Sequence, residues 1–260
     1  MLSPMLKIKI LSLIFVFFLT SACSKDESVD PNDSNNVNVF DNRQSTGSSA
    51  HDILSDNTFT SMRIELVYVE GYEPTETAVN NFISFLTDRI HKPLGISLNK
   101  RAITSPGKTT YSIEDIAQIE REQREIYNNG SIIAIWAYFT DGKSDKDTAD
   151  NITLGTAYWN TSFVIFEETL RGLSNSPLEP NRNLLETTVI NHEFGHLLGL
   201  TNLGSPMQTA HEDSEHENHC NVNNCLMYWA TEYAVGIGNM TGVPQLDAQC
   251  IADLKANGGK

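Results

Sequence analysis

The sequence predicts an α+β fold, and three stretches predict it. Met62 to Val69 alternates as Met-x-Ile-x-Leu-x-Tyr, the period of a half-buried strand. Pro74 to Ile90 places Val79, Phe82, Ile83, Phe85, Leu86 and Ile90 along one side of a helix. From about Asn183 to Leu198, the residues Leu184, Leu185, Val189, Leu197 and Leu198 recur at roughly helical spacing, which predicts a buried amphipathic helix. The span from Phe59 to Lys260 is long enough for one domain with its own core, and it contains no internal repeat.

In chain order, residues 1–22 carry Lys7 and Lys9, an apolar run from Ile10 to Leu19, and then Thr20-Ser21-Ala22 before Cys23. This reads as a signal peptide ending at a cysteine that becomes the lipidated N-terminus. The run is too short to span a bilayer as a mature helix. The Leu that usually stands three places before such a cysteine is here Thr20, with Leu19 one place early, so a secreted protein cleaved nearby is the alternative. Residues 23–58 are rich in Asp, Asn, Ser and Thr and are expected to be a disordered tether. Residues 59–260 are the expected folded domain. Beyond the first strand and helix, Leu94 to Ile103 reads as a strand, Ser112 to Tyr127 as a helix capped by Ser112, and Ile132 to Phe139 as a buried strand. Thr140 to Asn151 is a polar loop; Thr153 to Tyr158 and Ser162 to Glu167 are two short strands, and Gln245 to Ala256 is a closing helix.

The formal charge is −15, from 18 basic and 33 acidic residues, and loss of Lys7 and Lys9 with the leader makes the mature chain more acidic still. Nonspecific binding of nucleic acid or anionic lipid is thereby excluded. Beyond Cys23 there are three cysteines, Cys220, Cys225 and Cys250. Outside the cytoplasm the simplest arithmetic is one disulfide and one odd thiol. A Cys220–Cys225 bond closes a small loop and is the first choice; pairing of Cys250 with either is the alternative.

The chemistry concentrates in Asn191-His192-Glu193-Phe194-Gly195-His196-Leu197-Leu198-Gly199-Leu200. Two imidazoles four residues apart on a helix lie one above the other and reach a single ion. Glu193, one step round, flanks that ion and takes a proton from a metal-activated water. Gly199 is placed where a helix ends in a left-handed residue and the chain turns back towards the metal. A third ligand is then needed. His219 is the first candidate, His211 the second and His216 the third, under the rule that catalytic zinc takes three protein ligands and a water. The acidic residues around them, Glu212, Asp213, Glu215 and Glu217, read mainly as a solvated loop; a calcium ion, or Glu215 or Glu217 as the third zinc ligand, is a weaker reading.

The order HExxHxxG, followed by His219-Cys220-xxxx-Cys225-x-Met227, resembles the signature of the archaemetzincins, a group of metzincin zinc peptidases in which HExxHxxGxxH runs straight into CxxxxCxM. Here Asn202 stands where the third histidine is due, and the resemblance places an insertion between Gly199 and His219. It implies a metzincin-like zincin fold, with a twisted mixed β-sheet, packed helices, an active-site helix and a Met-turn. It also implies a zinc-dependent endopeptidase with Glu193 as general base, His192, His196 and His219 as ligands, and Met227 beneath the metal. An edge strand over the cleft pairs with extended substrate in that family, and Leu154 to Trp159 is its candidate here. Archaemetzincins hold a second zinc on four cysteines; with three cysteines available, this chain departs from that pattern.

The chain also resembles lipoprotein metallopeptidases of the Bacteroidetes type, and Lys25-Asp26-Glu27 after Cys23 is similar to their surface-export signal. That resemblance implies an exported, outer-membrane, surface-exposed lipoprotein, monomeric, attached to the membrane through its N-terminal lipid alone, with a peptide or protein substrate and no nucleic-acid partner. Tyr228 and Tyr233 are candidates for stabilising an oxyanion. Competing classes are a noncatalytic, surface-tethered zinc-containing binding protein and a metal scavenger built on the His-rich loop.

Overall fold

The computed structural model describes residues 37–260 apart from 150, 175, 177, 178 and 234–239. The leader, Cys23 and the tether as far as Asn36 lie outside the described residues. Five strands form the main sheet: β1 (Ser61–Val69), β2 (Ile96–Ile103), β4 (Ile132–Phe139), β6 (Gly155–Ala157) and β7 (Ser162–Ile165), in the order β2-β1-β4-β7-β6. All neighbours run parallel except β6, which is antiparallel to β7 and forms one edge. The sheet is therefore mixed, and the fold is α+β. Two short strands, β3 (Thr110–Tyr111) and β5 (Lys143–Ser144), pair apart from it, the second inside the stretch expected to be loop.

The period-two patterns explain the layers. Met62, Ile64 and Leu66 of β1, with Ile133, Ile135, Ala137 and Phe139 of β4, enter the larger core. There they meet α2 (Glu76–Arg89), α4 (Glu167–Gly172), α5 (Arg182–Leu197) and α6 (Ala248–Ala256). Val67, Val69, Trp136 and Tyr138 face the other way and pack with Ile116 and Ile119 of α3 (Ile113–Gln123). A strand buried on both faces must be apolar almost throughout, and seven of the eight β4 residues are buried.

The helix expected from Ser112 to Tyr127 stops at Gln123 for an electrostatic reason. Ser112 and Asp115 form a reciprocal capping box at its start. At its end, Arg124 sends its guanidinium inwards to Glu120 (2.7 Å), to the Ile126 carbonyl (2.8 Å) and to the Ala134 carbonyl (3.0 Å). The amides of Glu125 and Ile126, freed from the helix, donate to the buried Glu65 carboxylate (3.0 and 2.8 Å).

The N-terminal boundary of the domain also differs from the expectation. Residues 37–58 are folded, with a 3-10 turn at Val39–Asn42 and the short helix α1 (Ala50–Leu54). Ala50, Ile53 and Leu54 are buried completely. Asn42 Nδ2 donates to Asn128 Oδ1 (2.9 Å), the Ala134 carbonyl (3.2 Å) and Thr161 Oγ1 (3.0 Å), and Asn160 Nδ2 donates to Ser49 Oγ (2.7 Å). A polar segment with three apolar anchors is held by buried amide hydrogen bonds, which composition alone does not register. Among the described residues, no helix is long and apolar enough to cross a membrane.

Candidate metal centre

Helix α5 carries the motif. Asn181 caps it by accepting from the Asn183 amide (2.9 Å), and from Leu185 to Leu197 every residue is buried, so the helix runs through the core. It ends as a Schellman turn: the Leu200 amide donates to the Gly195 carbonyl (3.2 Å) and the Gly199 amide to the His196 carbonyl (3.0 Å). Gly199 has φ +73°, and a Cβ there would lie 2.7 Å from Ala50 Cβ, so glycine is required by both conformation and space.

Beyond the turn, Asn202 has φ +73° and reaches Glu212 instead of the ligand cluster. The insertion is stitched at its neck. Thr201 Oγ1 donates to the Asn218 carbonyl, and the Asn218 amide donates to Glu212 Oε1 (2.8 Å). His219 is thereby delivered to the helix. His192, His196, His219 and Glu232 each offer a donor atom, all within 4.8 Å of one another. His192 Nε2 and His196 Nε2 are 3.2 Å apart, and His219 Nε2 lies 3.0 Å from Glu232 Oε2. His192 Nδ1–H donates to the Leu226 carbonyl (2.7 Å) and His219 Nδ1–H to the Glu217 carbonyl (2.9 Å). These bonds select the tautomers whose Nε2 lone pairs face the centre, as metal-bound histidines require.

The donor set fits a metal ion. His219 Nε2 and both Glu193 oxygens are buried without a hydrogen-bond partner. Burial, then the neighbouring imidazoles, lowers His192 to about 4 and His196 well below its ordinary value, so both rings are neutral near pH 7. Glu193 is pushed well up by burial and by the Glu232 charge, partly offset by the Ala157 backbone. It is wedged against β6, where a Cβ on Gly155 would lie 2.8 Å from Glu193 Oε1. Met227 is fully buried under the helix, with Gly195 bare to admit its sulfur.

The other expected residues separate. His211 is buried but belongs to a second cluster with Cys220, Asp247 and Cys250. Its Nε2 lies 3.0 Å from Asp253 Oδ2. Cys225 Sγ is 3.6 Å from Cys250 Sγ and accepts from the amides of Met227 (3.4 Å) and Asp247 (3.5 Å). Hydrogen bonds from the Cys220 and Cys250 thiols, then these amides, hold the Cys225 thiol down to about 2. All three cysteines are free, so the Cys220–Cys225 disulfide is corrected: Cys220 and Cys250 offer their sulfurs to the cluster with His211 and Asp247, and Cys225 lies beside Cys250. His216 stacks on Trp229 (centroids 4.1 Å, planes 7° apart), outside both clusters. Asp213 is spent on its own turn, accepting from the Glu215 and His216 amides, and Glu212 on the neck. Among the described residues, Glu212, Asp213, Glu215 and Glu217 belong to neither cluster. Tyr233 lies near the carboxylates, its phenol pushed up to about 12 by burial and by Glu232 and Glu193; Tyr228 packs on Trp229 (centroids 5.8 Å).

Glu232 is the residue that sequence reasoning missed. A lone glutamate five places after Met227 carries no pattern, and its part depends on where the chain returns. The expected edge strand does lie at the edge, as β6, and the Leu154 amide before it donates to the Glu232 carbonyl (2.9 Å).

No protein-family model matches the sequence, and no curated protein matches it. Among solved structures, the chain is similar to archaemetzincin from Methanopyrus kandleri, with a TM-score of 0.52 at 16% identity, covering 76% of this chain and 96% of that one. A zinc-dependent peptidase from Methanocorpusculum labreanum (TM-score 0.49, 14% identity, 74% and 99% covered) and metalloproteinase-II from Bacteroides fragilis (0.41, 14%, 78% and 54%) are also similar. The first match shows the fold: an α+β mixed sheet with packed helices like that of archaemetzincin.

Proposed function

We propose that the protein is a zinc-dependent endopeptidase, with His192, His196 and His219 as the zinc ligands and Glu193 as the general base. The observation that carries this reading is the convergence of three imidazole donors beside a buried carboxylate that has no hydrogen-bond partner. Zinc bound there supplies a Lewis acid and water activation near neutral pH. Glu193, desolvated and held against β6, accepts the proton from water and returns it to the leaving amine. Met227 under Gly195 serves as the Met-turn of a zincin architecture, supporting the ligand helix from below. β6 presents an edge to which an extended peptide adds as a strand. The test is Glu193→Gln: zinc content is retained and peptide cleavage falls by about 10²–10⁴-fold. Wild-type activity in that variant ends the reading, and zinc retention with no cleavage in the wild type favours a binding protein.

The second cluster supports a further part of the same reading. His211, Cys220, Asp247 and Cys250 bring an imidazole, two thiols and a carboxylate within 4.8 Å of one another, with Cys225 Sγ 3.6 Å from Cys250 Sγ, a donor set suited to structural zinc. His211, carried by the insertion, would supply the imidazole of this site, and its Nε2 stands 3.0 Å from Asp253 Oδ2. Mass spectrometry of the native protein is expected to show two zinc ions per chain, and one in Cys250→Ser. The leader, lipidated Cys23, surface exposure and monomeric state remain part of the proposal. Metabolic labelling with a fatty acid, lost in Cys23→Ala, tests the anchor.

A further inference from the structure

We propose that the segment from Tyr228 to Tyr233 is a built-in strap that lies where a peptide product lies, with the Glu232 carboxylate closing the metal site until substrate displaces it. This rests on the zinc-peptidase reading and assigns a regulation to that same site.

The donor geometry supports it first. Donors held about 2.0–2.2 Å from one tetrahedral ion stand roughly 3.3 Å apart. The Nε2–Nε2 separation of 3.2 Å and the Nε2–Oε2 separation of 3.0 Å both match such edges. Glu232 would therefore serve as a fourth ligand beside the three imidazoles. Structural zinc sites are closed in this way, whereas catalytic sites keep one position open. His219 Nε2 has no hydrogen-bond partner although Glu232 Oε2 lies 3.0 Å away, as expected of two atoms that would share one ion.

The backbone supplies an independent observation. The Leu154 amide donates to the Glu232 carbonyl, and Thr153 forms an antiparallel bridge with Tyr233. Strand addition to this edge by a peptide uses the same groups. A chain paired here with a carboxylate on the metal has the chemistry of a cleaved peptide whose new C-terminus is still bound. The strap is also easy to lift. Trp229, Ala230, Thr231, Glu232 and Tyr233 are all half-buried, Trp229–Thr231 form a single 3-10 turn, and the outer anchor is the His216–Trp229 stack. The cavity bounded by Thr156, Ala157, Glu193, His196, His219 and Glu232 measures about 220 Å³, smaller than the roughly 300–1,000 Å³ of ordinary ligand sites. Withdrawal of the strap is what enlarges it.

The test is the affinity of the zinc-loaded protein for acetohydroxamate, a small chelating anion that needs the position Glu232 holds, measured by calorimetry. The visible absorption of the cobalt(II)-substituted protein gives a second readout. If the open form is about a tenth populated or less, Glu232→Ala and the isosteric Glu232→Gln bind acetohydroxamate about tenfold or more tightly than the wild type, at unchanged metal content. Unchanged affinity in both variants, with zinc still bound, overturns the strap and leaves the peptidase reading intact. A wild-type zinc content that His192→Ala does not lower overturns the peptidase reading, and the strap falls with it.

Discussion

At the scale of single residues, burial does most of the chemical preparation. His192 drops from its ordinary 6.5 to about 4 because the core disfavours its charged form and His219 lies alongside; His196 moves the same way. An unfolded chain binds protons on these rings that the folded chain refuses. The stability these two rings contribute to the metal-free protein is therefore full above pH 6.5 and is lost as pH falls towards 4, by up to about 1.4 kcal/mol per pH unit for each ring, while the raised Glu193 acts in the opposite sense. Urea melts of chelator-treated protein at pH 7 and pH 5 check this: the loss on acidification is expected to be smaller in His192→Asn than in the wild type, and equal losses contradict it. Gly195 makes a second case. Alanine in a helix is normally better than glycine by about 1 kcal/mol. Here the added methyl meets the Met227 sulfur, so Gly195→Ala is expected to destabilise by about 1–3 kcal/mol. Gly172→Ala, whose Cβ meets nothing within 4 Å, is the matched control and is expected to be neutral or stabilising.

At the scale of elements, the buried ion pair at the end of α3 holds the sheet to that helix. Glu120 and Arg124 have fully buried side chains, and Tyr158 and Ser162 also donate to Glu120 (2.6 and 2.8 Å). Glu120→Ala strands the guanidinium and is expected to cost about 3–5 kcal/mol in chemical denaturation. The helix that carries His192 and His196 was legible in the sequence to within a residue at each end, as Arg182–Leu197 against Asn183 to Leu198, because its apolar period and terminal glycine act locally. β1 and β4 were legible for the same reason. The stop at Gln123 was not, since it is set by Glu65, a residue of β1 far away in the chain. Nor was the choice among His211, His216 and His219, because spacing cannot show which turn of an inserted loop is pinned by Thr201 to the helix end.

At the scale of the whole molecule, the domain is closed by a segment that looks unfoldable in composition. A chain beginning at Phe59 lacks Asn42, Ala50, Ile53 and Leu54 and is expected to melt well below one beginning at Val37; equal melting temperatures contradict a structural role for residues 37–58. That segment escaped sequence reasoning because four buried or half-buried hydrogen bonds, made by just two of its side chains, Asn42 and Ser49, outweigh the scarcity of large apolar side chains. The three tryptophans divide the molecule as well: Trp136 is sealed in the sheet, Trp159 lies under Arg43 and Arg121, and Trp229 rides on the strap with its indole flat against His216. If the stacked His216 ring quenches Trp229, emission is expected to brighten when the indole lifts away. Under the proposed strap that change would report cleft opening in a stopped-flow fluorimeter without any added dye, and constant emission on acetohydroxamate binding would contradict a moving strap.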